Sequence, residues 1–127
     1  MRYLGIDYGA KRIGIAISDE AGTIAFPRAV VPNDEKLLPF VTRMIEEEKI
    51  ATLVVGDTRT VHGAENPVTE SMEKFARSLT SRGVQVERVG EAWSSIEASR
   101  YAPLGKEHDD GAAAAIILQR FLDTRRK

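Results

Sequence analysis

The sequence contains no cysteine and only two histidines among its 127 residues. The absence of cysteine excludes a disulfide framework and a thiolate zinc site, and two histidines are too few for a histidine-rich metal centre. Any bound metal ion would therefore be held by carboxylate oxygens, which favour hard cations such as Mg²⁺ or Mn²⁺.

The sequence also lacks an excess of positive charge and a long hydrophobic run. Its formal net charge is −1, so no global basic field attracts nucleic acid, although a local cluster of cations can supply phosphate contacts. The candidate cations are Lys11, Arg12, Arg59, Arg88, Arg100 and Lys106. No run approaches the ~18 apolar residues of a membrane span, and residues 1–3 lead into a strand pattern without a signal-peptide core. We expect a cytoplasmic protein with no membrane partner.

Length and composition favour one globular domain over residues 1–127. Hydrophobic residues make up 43% of the chain and charged residues 29%, as is ordinary for a folded protein. A chain of this length buries well over half of its unfolded surface without disulfides or metals. We therefore expect it to fold as a single domain.

The first third of the chain predicts an antiparallel meander. Alternating apolar residues predict strands over residues 2–8 and 12–19, joined by a hairpin at Gly9-Ala10-Lys11. A third strand of about ten residues ends at Val31, where Pro27 indicates an edge position or a bulge. Small residues on the second strand would let a helix or a neighbouring backbone come close. They are Gly14, Ala16 and Ser18.

The next part of the chain changes to helical spacing and then to a buried strand. Apolar residues recur at three and four positions in a helix that Asn33 or Asp34 can cap and that ends near Lys49. The continuous apolar run over residues 52–56 predicts a central parallel strand covered on both faces.

The remaining elements follow in alternation. Asn66-Pro67 predicts the start of a second helix, which ends at Gly83. A last strand follows, and its alternation slips before Gly90 as it would at a bulge. A short helix from Ser94 or Ser95 to Tyr101 and a final helix from Asp109 to Thr124 complete the predicted elements.

This order of elements predicts an α/β fold with a five-stranded mixed sheet, an antiparallel meander followed by parallel strands, flanked by helices. In such sheets the functional site lies at the carboxyl ends of the parallel strands. Asp7, Asp57 and Glu91 lie at or just past such ends.

Three acidic residues far apart in sequence are expected to meet there. Asp7 ends the first strand, Glu91 follows the last strand, and Asp110 shares a helical stripe with Ala114, Ile117 and Phe121. Each has a structural explanation when taken singly: a paired core acid, a loop acid and a helix N-terminal acid, respectively. Together they suit Mg²⁺ or Mn²⁺ ions that promote phosphodiester hydrolysis.

Four segments of the chain resemble the YqgF family nearly from end to end. They are "GIDYGAKRIGIAISD", "VVGDTRTVHG", "GEAWSSIEA" and "DDGAAAAIILQRFLD". The family consists of small proteins with a ribonuclease H-like fold, associated with Holliday junction resolution and with maturation of precursor 16S ribosomal RNA. The resemblance implies that Asp7, Glu91 and Asp110 form a metal-binding catalytic triad acting on structured RNA or branched DNA.

The chain departs from the family pattern beside this triad. Family members usually have Gly-Leu-Pro where this chain has Gly56-Asp57-Thr58, and Asp-Glu-Arg where it has Gly90-Glu91-Ala92. The second change removes an arginine that would be expected to bind phosphate. Asp57 adds a fourth acid, which either joins the metal shell or caps its loop.

Lys11, Arg12 and Arg59 are the candidate contacts to nucleic acid. For Lys11 and Arg12 the competing interpretation is an exposed polar turn.

Two other functions stay open at this point. An aspartate followed by a glycine hairpin is also similar to the first phosphate loop of actin, Hsp70 and sugar-kinase ATPases, although those proteins bind nucleotide between two domains and this length supplies one. The second alternative is a non-catalytic nucleic-acid-binding protein of the same fold. No coiled-coil heptad or long apolar edge strand indicates a dimer, so we expect a monomer or a weak homodimer.

Overall fold

The computed structural model describes residues 2–57, 67–90 and 110–125. The elements, in chain order, are β1 (Arg2–Tyr8), β2 (Arg12–Ser18), β3 (Ala25–Pro32), α1 (Leu37–Glu47), β4 (Ile50–Asp57), α2 (Pro67–Thr80), β5 (Gln85–Gly90) and α3 (Asp110–Arg125). The short helix predicted between residues 94 and 101 lies outside these ranges. None of the helices described combines the length and the apolar character needed to cross a membrane.

The strands form one mixed sheet in the order β3-β2-β1-β4-β5. Strand β2 pairs antiparallel with both β1 and β3, whereas β4 pairs parallel with β1 and β5. This arrangement confirms the predicted five-stranded sheet, with its meander first and its parallel strands second. Strand β1 lies at the centre of the sheet. Because β1, β4 and β5 are parallel, their carboxyl ends lie at the same end of the sheet.

Both faces of the sheet are covered, and alternate residues of β1 face opposite layers. Leu4, Ile6 and Tyr8 belong to a core cluster that also contains buried residues of α1 and α2. Tyr3 belongs to a second cluster, formed with buried residues of α3. Because side chains alternate along a strand, Asp7 lies on the α3 side with Tyr3.

Strand β3 is an edge strand with an irregular register. Pro27 lies opposite Ala16, while the next pair along the strand joins Ala29 to Ile15, so that Arg28 is the additional residue. Both features that Pro27 indicated, the edge position and the bulge, are therefore present.

Helix α1 begins later than the sequence predicts. Its N-cap residue is Lys36, whose side chain makes no capping hydrogen bond. The Asp34 carboxylate accepts a 2.9 Å hydrogen bond from the Lys36 N–H, and the Asn33 side chain donates to the Gly9 carbonyl. The prediction that Asn33 or Asp34 caps this helix is wrong, because the Asn33 side chain bonds the turn between β1 and β2 and the Asp34 carboxylate bonds Lys36, which precedes the first helical residue.

Helices α2 and α3 lie close to their predicted positions. Helix α2 begins at Pro67 as predicted and ends at Thr80 rather than at Gly83. Gly83 follows in a turn with φ 88°, a backbone conformation that favours glycine. Helix α3 begins at Asp110 and extends to Arg125.

The predicted bulge before Gly90 is wrong. Strands β4 and β5 pair without a register shift along the whole of β5. Val86 packs against the cluster of α1 and α2, whereas Val89 packs against the cluster of α3. The apparent slip in alternation arises because this strand contributes apolar side chains to both faces.

Candidate active site

Asp7 is a buried acid in the central strand. Its relative exposure is 8%, and it lies opposite Gly14 of β2, one residue before the end of β1. Gly14 is itself buried and has no side chain, so no side chain of β2 lies directly beside Asp7 in this pair. The structure thus places this carboxylate at the carboxyl end of the central strand, where the sequence predicted it.

Helix α3 runs antiparallel to β1 across the same face. The rings of Tyr3 and Phe121 lie 5.8 Å apart. A Cβ atom at Gly5 would lie 2.7 Å from Cβ of Leu118 and 3.0 Å from the carbonyl oxygen of Ala114. Strand residue 3 thus contacts helix residue 121, whereas strand residue 5 contacts helix residues 118 and 114, which lie closer to the N-terminus of the helix.

This direction brings the start of α3 to the Asp7 end of the strand. From Gly5 to Asp7 the strand rises about 6.6 Å, and from Ala114 back to Asp110 the helix spans about 6 Å. The backbone of Asp110, the first residue of α3, therefore lies at the same end of the sheet as Asp7. The predicted stripe is confirmed for Ala114 and Ile117, which are fully buried, while the Asp110 side chain lies outside what the structure describes.

The third predicted acid, Glu91, lies outside the described residues. It follows directly after Gly90, which ends β5 and pairs with Asp57 at the end of β4. Strands β4 and β5 thus end at the same level, at the end of the sheet where Asp7 lies. Within the described side chains, no three acidic, histidine or cysteine groups are close enough to hold a metal ion. Of the predicted triad, only Asp7 has a side chain that the structure describes, so the triad stays a prediction.

The candidate phosphate-binding cations follow Asp7 closely along the chain. Lys11 and Arg12 are exposed at the hairpin between β1 and β2. The Gly9 N–H donates to the Arg12 carbonyl at 3.0 Å, so that Ala10 and Lys11 form a two-residue turn. A Cβ at Gly9 would lie 2.6 Å from that same oxygen, which explains the glycine. Arg59 lies outside the described residues.

A hydrogen-bonded network beside this turn was not predicted. The Tyr8 hydroxyl lies 2.7 Å from Oγ of Ser71 on α2 and donates a long, 3.4 Å bond to Oδ1 of Asn33. Asn33 in turn donates from Nδ2 to the Gly9 carbonyl at 2.9 Å. The sequence offered a signal in Asn33, but the residue's position before a helix favoured a capping role.

Comparison with known proteins assigns the chain to a family. The family model described as RuvX, Holliday junction resolvase, matches residues 1–124. The chain belongs to the RuvX family. RuvX is the YqgF family that the sequence motifs resemble. The "Putative pre-16S rRNA nuclease" of Bacteroides fragilis is 35% identical to this RuvX chain and is aligned over 98% of each protein. The protein of the same description from Bordetella parapertussis is 38% identical, over 95% of this chain and 92% of its own length.

Solved structures of two resolvases share the fold of this RuvX chain. Thermus thermophilus RuvC in complex with a Holliday junction superposes with a TM-score of 0.66 at 16% identity, covering 99% of this chain and 96% of RuvC. Fowlpox virus resolvase in complex with Holliday junction DNA gives a TM-score of 0.65 at 15% identity, with complete coverage of both chains. These neighbours confirm the ribonuclease H-like fold, and family and fold together support a nuclease.

Proposed function

We propose that this chain is a metal-dependent endonuclease that hydrolyses phosphodiester bonds in structured nucleic acid. The observation that carries the proposal is the buried Asp7 carboxylate at the carboxyl end of the central strand, at the end of the sheet where α3 begins. Such a burial is costly for an ionised carboxylate unless a cation or hydrogen bonds compensate it. Membership of the RuvX family supports the same chemistry.

The donor set fits a hard divalent cation. Asp7, Glu91 and Asp110 would hold Mg²⁺ or Mn²⁺ through carboxylate oxygens, and the sequence offers no cysteine to compete. A bound ion would supply an activated water and stabilise the leaving oxygen. The protein's own contribution is rigidity, because Asp7 is held within a strand that pairs on both sides.

The substrate is bound through phosphates beside this site. Lys11 and Arg12 extend from the hairpin that begins two residues after Asp7, and Arg59 follows β4 in sequence. Cations at these positions would hold a substrate backbone and leave the bond to be cut near the carboxylate. The names of the relatives point to two substrates, precursor 16S rRNA and the Holliday junction, a four-way DNA junction.

Replacement of Asp7 tests the proposal. We expect Asp7→Asn to reduce cleavage of precursor 16S rRNA ends or of a four-way DNA junction at least about a hundredfold in Mn²⁺, because a neutral amide is a poorer ligand for a hard cation. The matched control is Glu46→Gln, which removes one charge from an exposed position of α1 and should cleave as the wild type does. Equal cleavage by wild type and Asp7→Asn would reject the proposed role, and binding without cleavage by wild type would indicate the non-catalytic alternative.

A further inference from the structure

Asn33 is bonded to both carbonyls that flank Ala10 in the β1–β2 turn. Its backbone N–H donates to the Lys11 carbonyl at 2.9 Å. Its side-chain Nδ2 donates to the Gly9 carbonyl, also at 2.9 Å. One residue of the β3–α1 loop thus holds the turn that carries Lys11 at two points.

Asn33 is itself oriented from the core. Its Oδ1 accepts from the Tyr8 hydroxyl, and that hydroxyl also bonds Ser71 of α2. The Tyr8 ring is only 5% exposed and packs against Phe75, with the ring centroids 5.6 Å apart. A chain of side-chain contacts therefore connects the turn to the central strand and to α2.

We propose that Asn33 is a positioning residue for substrate binding, which holds the Ala10-Lys11 turn so that the Lys11 ammonium meets a substrate phosphate at a fixed distance from Asp7. The inference rests on the proposed function, because it takes Lys11 as a phosphate contact. Its physical basis is preorganisation: a turn already held in place loses less conformational freedom on binding than a mobile one.

The test is a double-mutant cycle between Asn33 and Lys11 on a four-way DNA junction. Asn33→Ala should raise KM about five- to tenfold and leave kcat within about twofold, since binding is impaired and chemistry is not. In the Lys11→Ala background the same substitution should change KM by less than about twofold, because the group it positions is gone. Equal effects in both backgrounds, or a fall in kcat at unchanged KM, would overturn the inference.

Two further variants separate positioning from general stability. Asn33→Asp keeps the size of the side chain and an acceptor for Tyr8, yet it cannot donate to the Gly9 carbonyl, so it should raise KM as Asn33→Ala does. Ser81→Ala, at an exposed position after α2 where the hydroxyl bonds the Ser78 carbonyl, is the control and should leave KM unchanged. If Asn33→Asp had the wild-type KM, the bond to Gly9 would not be what positions Lys11.

The same double-mutant cycle is also measured with Kd in place of KM. The Kd of a fluorescently labelled junction, obtained by anisotropy, reports binding independently of cleavage. Should wild type and Asp7→Asn cleave equally while the Kd cycle still shows coupling, the nuclease proposal falls and the role of Asn33 stands. Uncoupled Kd values together with Asp7-dependent cleavage would reject only the role of Asn33. A wild type that does not bind the junction at any salt concentration would reject both.

Discussion

Asp19, in the turn between β2 and β3, is a carboxylate surrounded by donors. Its oxygens accept from the backbone N–H of Thr23 at 2.7 Å, from the Thr23 hydroxyl at 2.7 Å and from the N–H of Ile24 at 3.2 Å. These bonds, led by the one from the Thr23 backbone, lower the pKa of Asp19 from 3.8 to about 2. The ionised form therefore stabilises the turn.

The pKa shift predicts an acid-dependent loss of stability. A lowered folded-state pKa contributes stability that is complete above pH 3.8 and is lost as the pH falls through about 2. The Asp19→Asn variant lacks this titration, so the excess in melting temperature of wild type over Asp19→Asn should shrink from pH 5 to pH 2. Melting curves across that range check it, and a difference that stays constant with pH would contradict it.

The side chain of Ser18, at the end of β2, also forms hydrogen bonds to backbone groups, but it does so inside the protein. The residue is 2% exposed, and its hydroxyl accepts from the Tyr3 N–H at 2.8 Å and donates to the Asp19 carbonyl. Ser18→Ala leaves that N–H buried without its partner, which should lower the free energy of unfolding by about 1–3 kcal/mol. Urea unfolding measures the loss, and Ser81→Ala, at an exposed position, should change stability by less than about 0.5 kcal/mol. Equal values for the two variants would refute this assignment.

At the scale of elements, the contact between β1 and α3 is set by a glycine. A Cβ at Gly5 would collide with both Leu118 and the Ala114 backbone. Leu118 is fully buried, so neither side can yield without moving the helix. The spacing between strand and helix also governs where the first turn of α3 stands relative to Asp7.

Gly5→Ala should therefore affect stability and activity together. We expect it to cost about 1–3 kcal/mol of unfolding free energy through overpacking and to reduce kcat by displacing the start of α3 from the Asp7 end of the strand. Ala29→Gly, on edge strand β3 opposite Ile15 of the α1 and α2 cluster, serves as a destabilised control with normal kcat, because this position lies on the face of the sheet away from α3. A Gly5→Ala protein with wild-type kcat under conditions where it is folded would show that this spacing does not matter for catalysis.

The elements themselves were largely predictable because their patterns are strong. The meander, the parallel strands and the helical stripe of α3 follow from alternation and from three- and four-residue spacing. The wrong predictions concern residues whose local sequence pattern is compatible with two different structural roles. Asn33 looked like a helix cap but bonds a distant turn, and Val89 looked like a slip but faces the second layer. Neither contact can be read from local sequence.

At the scale of the whole molecule, the balance of charge bears on the proposed binding of nucleic acid. The net charge is −1, so the proposed binding would depend on a few local contacts rather than on a broad basic surface. The sequence predicted Asp7 as a candidate site residue from its unusual place in a strand. It could not show how the hairpin cations are oriented, because that depends on contacts between residues far apart in the chain.

Binding through a few phosphate contacts predicts that the affinity for nucleic acid depends only weakly on salt concentration. If Lys11, Arg12 and Arg59 are the main phosphate contacts, the slope of log Kobs against log salt concentration for a four-way junction should be about −3 per chain, at about −0.9 for each phosphate neutralised. Lys11→Ala should reduce the slope by about one. Anisotropy titrations at several salt concentrations measure both values. A wild-type slope steeper than about −6 would require cations other than these three.

The irregular edge strand has a consequence for the protein in concentrated solution. Two of the eight residues of β3 are prolines, which have no N–H, and the additional residue at Arg28 twists the strand away from a flat edge. A strand from another molecule would find an incomplete row of partners there, even though Phe26 and Val30 are exposed on that strand. The same bulge that disturbs the register of β3 thus hinders the addition of another molecule at this edge of the sheet, the kind of step by which fibrils grow.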